Sequence, residues 1–535
     1  MPRQIAYIIG NEACERFSFY GMRNILVPFL ISSVLLGYLP AGSERDAAAK
    51  DIFHMFVIGV YFFPLLGGWL ADRYFGKYHT ILWFSLIYCA GHACLALFES
   101  NASGFYTGLF LIALGSGGIK PLVVSFCGDQ FDQTNKDKAK VVFDAFYWII
   151  NFGSFFASLL APALLAHYGP AVAFGVPGIL MFIATFIFWL GRRHYINVPP
   201  SRRDPHAFSE VVKSALRTRA PGRGRPGLMV ALAGAAVAAA MLALWALSAI
   251  TGAGIWPQAF NFVITACLAL GVLIALGGWG ASLQLERARG THPDAAVDGV
   301  RAVLRILIVF ALVTPFWSLF DQKASTWIIQ GGQMVMPTFS WLPGGAGDML
   351  RSWFVSPAQM QALNPLLVML LIPFNNIVLY PALRRMGLVV TALRRMGWGI
   401  AISGLSWIVA GLLQLWIDSG AEVPLAWQSL PYLLLTFGEV LVSATALEFA
   451  YSQAPHAMKG VIMAFWYLTS TFGSLWVLLT NAGVRNEGFK AMIVQTGLSE
   501  PAFLMFFFAA FAFVAALAFA AYARRYPMQD NYRQA

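Results

Sequence analysis

Glu12, Glu15 and Arg16 stand in a largely apolar segment, between Tyr7, Ile8 and Ile9 on one side and Phe17, Phe19, Ile25, Leu26, Val27 and Leu30 on the other. Each such charge costs roughly 2.5–3.5 kcal/mol at the centre of a bilayer. Spacing of i, i+3 and i+4 puts all three on one helical face, with Arg23 two turns beyond Arg16 on nearly the same face. A charged stripe on an apolar helix reads as the lining of a watery path, a structural ion pair being the alternative. Other isolated polar groups share this setting: His54, Lys120, Asn151, Asp321, Asn364 and Glu448 all lie within or at the ends of apolar runs. A carboxylate beside Arg or Lys keeps its charge and takes up a proton when that partner leaves. Glu12, Glu15 and Asp321 can do this chemistry. An imidazole titrates by itself at about pH 6.5, so His54 is either a proton carrier or a structural group near a helix start.

Helices that cross a membrane must position these groups. Hydrophobic residues make up 59% of the chain and charged residues 11%, and mean hydropathy is +0.66. Apolar runs of about 20 residues, enough to span about 30 Å of hydrocarbon, recur throughout. The pattern predicts an all-α polytopic membrane protein of 14 transmembrane helices. No basic region followed by a short apolar stretch and a small-residue cleavage site opens the sequence, so the first helix is expected to remain as an anchor. The five cysteines, in apolar helices, suggest packing and neither a disulfide framework nor a metal site. The net charge of +11 suggests a nucleic-acid partner only until its distribution is read. Lys and Arg gather in alternate loops, around Arg73 and Lys77, Lys136 to Lys140, Arg192 to Arg225, Arg287 and Arg289, Arg384 to Arg395, and Arg524 and Arg525. That is the positive-inside pattern, and it places both termini in the cytoplasm.

The Arg-, Pro- and Ser-rich stretch at 194–227 reads as a cytoplasmic linker. It follows a six-helix bundle at 1–193. Two uncharged spans at 228–285 then precede a second six-helix bundle at 286–535. Two six-helix halves around a central path is a transporter architecture, with the site near the midplane.

The motifs narrow this. Gly67-Gly68-Trp69-Leu70-Ala71-Asp72-Arg73 and the residues up to Lys77 resemble the cytoplasmic loop signature of the major facilitator superfamily. Gly67 would allow close helix contact there, and Asp72 and Arg73 would pair with the neighbouring half. Glu12-x-x-Glu15-Arg16-Phe17-Ser18-Phe19-Tyr20-Gly21 is similar to the first-helix motif of the proton-coupled oligopeptide transporters. Gly115 to Pro121 with Asp129-Gln130-Phe131, Phe146 to Gly153, Phe316-Trp317 to Trp327, and Leu447 to Pro455 resemble further motifs of that family, in order and over nearly the whole length. The chain departs from the pattern at Phe19, where many members have a second Tyr, and at Lys323 and Ala324, which replace small residues. His54 matches a histidine typical of animal members, whereas the extra pair of central helices is a prokaryotic feature.

The resemblance implies a proton-coupled symporter that imports di- and tripeptides, and peptide-like compounds, across the bacterial inner membrane by alternating access. It implies no enzyme activity and no cofactor, protons being the coupling ion. Glu448 is expected to bind the peptide amine, and Arg16, Arg23 and Lys120 its carboxylate. Tyr20, Tyr61, Trp317 and Trp466 would form an aromatic pocket tolerant of many side chains, with Asn151, Asn364 and Ser452 as polar contributors. Asn364 also precedes Pro365, so a helix-bend role competes, and Glu439 is expected to be structural. Glu12, Glu15, Arg16, His54 and Asp321 would couple the proton. Transport of nitrate or another small anion on the same fold is the alternative within carriers. A membrane-embedded enzyme is disfavoured, since Gly115 to Gly118 lacks the Lys-Ser/Thr of a phosphate loop.

Overall fold

A computed structural model describes residues 3–131, 139–200, 204–219, 224–343, 345–388, 390–453 and 458–527. Lys136, Lys138, Ala454 and Pro455, part of the patterns above, lie outside the described residues, as do the side chains of Lys140, Leu447 and Tyr451. The chain is almost wholly helical, because backbone polar groups in hydrocarbon have to be satisfied within their own segment. Eleven stretches are long and apolar enough to cross a membrane.

The first half holds α1 (Gln4–Ser32), α2 (Ser43–Leu70), α3 (Gly76–Leu97), α4 (Ala102–Gly128) and α5 (Ala139–Leu190). Two of the eleven stretches are double. Ser43–Leu97 contains both α2 and α3, joined where Gly76 takes φ 72°. α5 is two helices meeting at Gly169, whose φ of 80° suits glycine. α1 lies outside the eleven because of its charges, yet it packs along α5, with Asn11 Nδ2 donating to Ala184 O (2.9 Å) and Asn24 Nδ2 to Ser158 Oγ (2.6 Å). α4 rests on both α2 and α3. A Cβ on Gly67 would collide with the backbone of Gly117 on α4, so this crossing depends on glycine.

Next come α6 (Phe208–Arg217), α7 (Pro226–Thr251), α8 (Phe262–Gln284), α9 (Asp294–Asp321), α10 (Thr326–Gly332), α11 (Ala346–Trp353), α12 (Leu363–Phe374), α13 (Tyr380–Arg385), α14 (Ala392–Asp418), α15 (Ser429–Glu439), α16 (Thr445–Gln453), α17 (Lys459–Val484), α18 (Glu487–Gln495) and α19 (Glu500–Ala523). The 194–227 stretch contains α6, an amphipathic helix that buries Val211 and Ala215 against the second half. Two large apolar cores result, one within α1 to α5 and one mainly within α9 to α19. A small third cluster, including Ile58, Ile264 and Leu475, sits where α2, α8 and α17 approach. The architecture is that of the major facilitator fold.

Candidate functional site

On α1 the expected stripe is present. Arg16 Nε lies 2.6 Å from Glu12 Oε1 and 3.0 Å from Glu15 Oε2, and both carboxylates are fully buried. Across from them on α4, buried Lys120 places its ammonium 3.5 Å from the centre of the Phe19 ring. Phe19, where a second Tyr was the family expectation, thus covers a cation with its ring face. Among the described residues Lys120 makes no ion pair.

Two turns further along α1, Arg23 Nη2 reaches Asp321 Oδ1 of α9 at 2.6 Å, with both side chains buried. Asp321 Oδ2 accepts a bond from Ser470 on α17 (3.0 Å). His54 is fully buried between the halves, Nε2 3.1 Å from Ser325 Oγ and Nδ1 3.4 Å from Ser474 Oγ. Asp51 accepts from Asn481 (2.9 Å) and pairs with Arg485. Tyr61 stacks with Tyr467 at 6.4 Å. Positions 51, 54 and 61 on α2 thus meet 481–485, 474 and 467 on α17, an antiparallel helix pair that joins the halves. These bonds gather on the side away from α1's first turn and close it.

The second half contributes a relay. Lys323 Nζ donates to Asn364 Oδ1 (2.8 Å), and Asn364 Nδ2 donates to Glu439 Oε2 (2.6 Å) and Thr436 Oγ1 (3.0 Å). Lys323 also lies 3.3 Å from the centre of the Phe320 ring. Its otherwise unexplained charge therefore has acceptors, and Asn364 has a polar role besides any helix bend.

Glu448 is not brought to this cluster. Its side chain is 60% exposed, 3.6 Å from Arg395. The nine residues from Glu439 to Glu448 are two and a half helical turns, which reverses the face. A π-helical turn at Val440–Ala444 lies between them and shifts the register of the residues that follow. Glu439, expected to be structural, is the carboxylate beside Lys323 and Asn364. Depth along the span was the available signal: Glu439 is the lone charge near the middle of the run between Glu422 and Glu448.

The remaining expectations divide. Trp317 and Trp466 meet edge to face at 5.9 Å beside the relay's helices, and Trp317 Nε1 is buried without a hydrogen-bond partner. Tyr20 packs at 5.4 Å against Phe19. Asn151 Nδ2 bonds back to Tyr147 O (2.9 Å) within its own helix. Ser452 Oγ likewise bonds to Phe449 O (2.8 Å), a local role near Glu448 rather than in the cluster. In the α2–α3 turn Lys77 pairs with Asp129 of the same half (2.7 Å), and Arg73 makes no ion pair among the described residues.

Four acids, Glu12, Glu15, Asp321 and Glu439, and four bases, Arg16, Arg23, Lys120 and Lys323, therefore line the contact between two bundles. A family model described as PTR2: POT family matches residues 78–486. The chain belongs to the POT family. It is 31% identical over 439 residues to Peptide transporter 3 of Caenorhabditis elegans, an alignment covering 79% of this chain and 52% of that protein. With human Solute carrier family 15 member 2 it is 29% identical over 434 residues, 78% of this chain and 50% of the other. The chain spans about half the length of the curated relatives it matches. Two solved structures match end to end. One is an auto inhibited POT family peptide transporter, with TM-score 0.92, 65% identity, and 100% of this chain and 99% of that one covered. The other is the POT family transporter PepTSo, with TM-score 0.91, 63% identity, and 99% and 100% covered.

A POT-family bundle pair with these groups can do two kinds of chemistry. Unpaired Lys120 and the Arg16 fork can receive a carboxylate from one bundle. Glu439 with Asn364 can receive an ammonium from the other. Asp321 and Glu15, each held by an arginine, can exchange that partner for a proton.

Proposed function

We propose that this chain is a proton-coupled symporter importing di- and tripeptides, and compounds built like them, by alternating access. The observation that carries the reading is the division of charge between the bundles: Lys120 and Arg16 belong to one, Glu439 and Asn364 to the other, Tyr20 lies near both Arg16 and Glu439, and the buried Arg23–Asp321 pair joins the two bundles. A short peptide is a zwitterion whose two ends need such opposite partners one peptide length apart. The names of the relatives, peptide transporters in worm and peptide-transporting structures in the POT family, support the same substrate class.

Protonation of Asp321 would cancel the attraction that holds Arg23 and so release α1 from α9 on the closed side. Protonation of Glu15 would free part of the Arg16 fork for a peptide carboxylate. His54, between Ser325 and Ser474, belongs to the lock through its hydrogen bonds. Protons are the only coupling agent this scheme needs, and no cofactor enters it. Counting both arms of the two double stretches and adding α1 to the remaining spans supports a reading of 14 crossings. An even number would put both termini on one side, the positive-inside rule supports the cytoplasm as that side, and we take the membrane to be a bacterial inner membrane. The lock then faces outward and the site opens inward. The two bundles at 1–193 and 286–535 would be the moving bodies, with Gly67 fixing the α2–α4 crossing inside the first.

The test is uptake of labelled dialanine by the purified chain in liposomes under an imposed inward proton gradient. Accumulation that collapses with a protonophore is expected. Equal uptake without a gradient or membrane potential would remove proton coupling, and no uptake of any di- or tripeptide would remove the substrate class.

A further inference from the structure

The α7–α8 hairpin is fastened mainly to the second half. Gln284 at the end of α8 donates to Ala215 O and Leu216 O of α6, and α6 is buried against the second half's core. α8 also packs on α17. It meets α2 only locally, where Ile58 packs with Ile264 and Cys267 and Asn261 Nδ2 donates to Met55 Sδ (3.3 Å), and beside that contact α2, α4, α7 and α8 enclose a cavity of about 890 Å³. Its walls are hydrocarbon, among them Met55, Phe62, Phe110, Leu242, Ala266 and Leu270. Water does not fill a space of this kind, because its molecules would lack partners.

Shape and ends select the occupant. The α2 wall runs from Asp51 to Phe63, a length of about 18 Å at 1.5 Å per residue. That is close to one leaflet, half of about 30 Å of hydrocarbon. The polar end is at the closed side, where Arg485, its side chain 46% exposed, pairs with Asp51 on the cavity wall. Tyr38 and Tyr106 line the cavity near the same end, as aromatic rings do at a headgroup boundary. A cation at the interface, aromatic rings beside it and an apolar slot one leaflet deep match a phospholipid.

We propose that a single phospholipid is a built-in component of this protein, its acyl chains in the slot between α2 and α8 and its phosphate against Arg485. The lipid completes the contact between the hairpin and the first bundle. Being fluid, it lets α2 slide past a hairpin that travels with the second bundle. The inference rests on the membrane placement of the fold and not on what the protein carries.

Native mass spectrometry after exchange into a delipidating detergent tests it, with phosphatidylethanolamine as the probe. Ala266→Trp fills the slot. Leu517→Trp adds the same ring to an outward face of α19, where Leu517 is 72% exposed. Wild type and Leu517→Trp are expected to retain one dipalmitoyl lipid per chain, and Ala266→Trp about tenfold less. Dipalmitoylglycerol, which lacks the phosphate, should also be retained about tenfold less by wild type. Equal retention by Ala266→Trp and wild type would overturn the site, and equal retention of the glycerol would overturn the Arg485 contact. A comparison on wild type needs no variant: dihexanoyl lipid held as well as dipalmitoyl lipid would overturn the slot. Dialanine uptake by Leu517→Trp and wild type is read separately, so failure of transport and failure of lipid retention are distinguishable.

Discussion

Arg16 and Arg23 are two turns apart on one helix, both buried, and each 2.6 Å from a carboxylate oxygen. They differ in whose carboxylate it is. Arg16 is held by Glu12 and Glu15 of its own helix, so its pairing survives any movement of one bundle against the other. Arg23 is held by Asp321 of the other bundle, so its pairing reports and resists that movement. On the proposed function, the same chemistry would serve as a fixed receptor in one place and a latch in the other. The difference comes entirely from which rigid body carries the acid.

Breaking the latch should have the largest effect. Removing one partner of a buried ion pair costs about 3–5 kcal/mol, because the other charge is left without compensation. Asp321→Ala is expected to abolish gradient-driven dialanine uptake and to open the locked side. Spin labels at Val34 and Glu487, both exposed at that side, would show the bundles separating. An unchanged distance would mean that the α2–α17 contacts hold the side closed without Arg23.

Altering the fixed receptor should leave the lock in place. Glu15→Gln is expected to bring proton-driven uptake to background while substrate counterflow, which needs no net proton movement, continues. The Val34–Glu487 distance should not change. Driven uptake at the wild-type rate would make Glu15 a structural partner of Arg16.

A third pair of variants applies the comparison to the second half. Glu439→Gln removes the charge beside Asn364 and keeps the shape. A hydrogen bond to a charged group contributes about 1.5–3 kcal/mol, so affinity for dialanine should fall about ten- to a hundredfold. N-acetylated dialanine should be affected much less. Glu448→Gln, at an exposed pair worth about 0–1 kcal/mol, should leave both peptides near wild type. The reverse result would restore Glu448 as the amine partner.

The smallest effect is expected at His54. Its two serine contacts are neutral hydrogen bonds of about 1 kcal/mol each. His54→Asn is expected to lower gradient-limited uptake a few-fold while peptide binding at fixed pH stays close to wild type. Parallel losses of thermal stability and uptake would reduce His54 to a packing residue. A stable variant with normal uptake at every pH tested would take it out of the lock.

How much of this was legible in the sequence depends on how local each feature is. The α1 triad could be read directly, because helical geometry alone puts positions i, i+3 and i+4 on one face. The membrane class, the helical fold and the doubled bundle followed from composition and the lengths of apolar runs. The hairpin of α7 and α8 stood out by its lack of charge. Helix α6 was hidden inside a stretch whose Arg, Pro and Ser content reads as linker. Its apolar face, Phe208, Val211, Val212, Ala215 and Leu216, does follow a helical period, but over ten residues between prolines and arginines that reads as linker.

Sequence by itself determined which residues must be costly in a membrane: each of Glu12, Glu15, Arg16, Arg23, Lys120, Asp321, Lys323 and Glu439 sits in a helix of known period and approximate depth. Only the tertiary structure decided which of them meet. Arg23 and Asp321 are 298 positions apart, and Asp51 and Arg485 are 434 apart. It also decided that Glu439 and not Glu448 faces Asn364, since nine residues turn a helix by half a revolution and a π-turn shifts the rest. The physical reason is that burial of a charge is a property of its own helix, whereas compensation of that charge belongs to whatever helix packs against it.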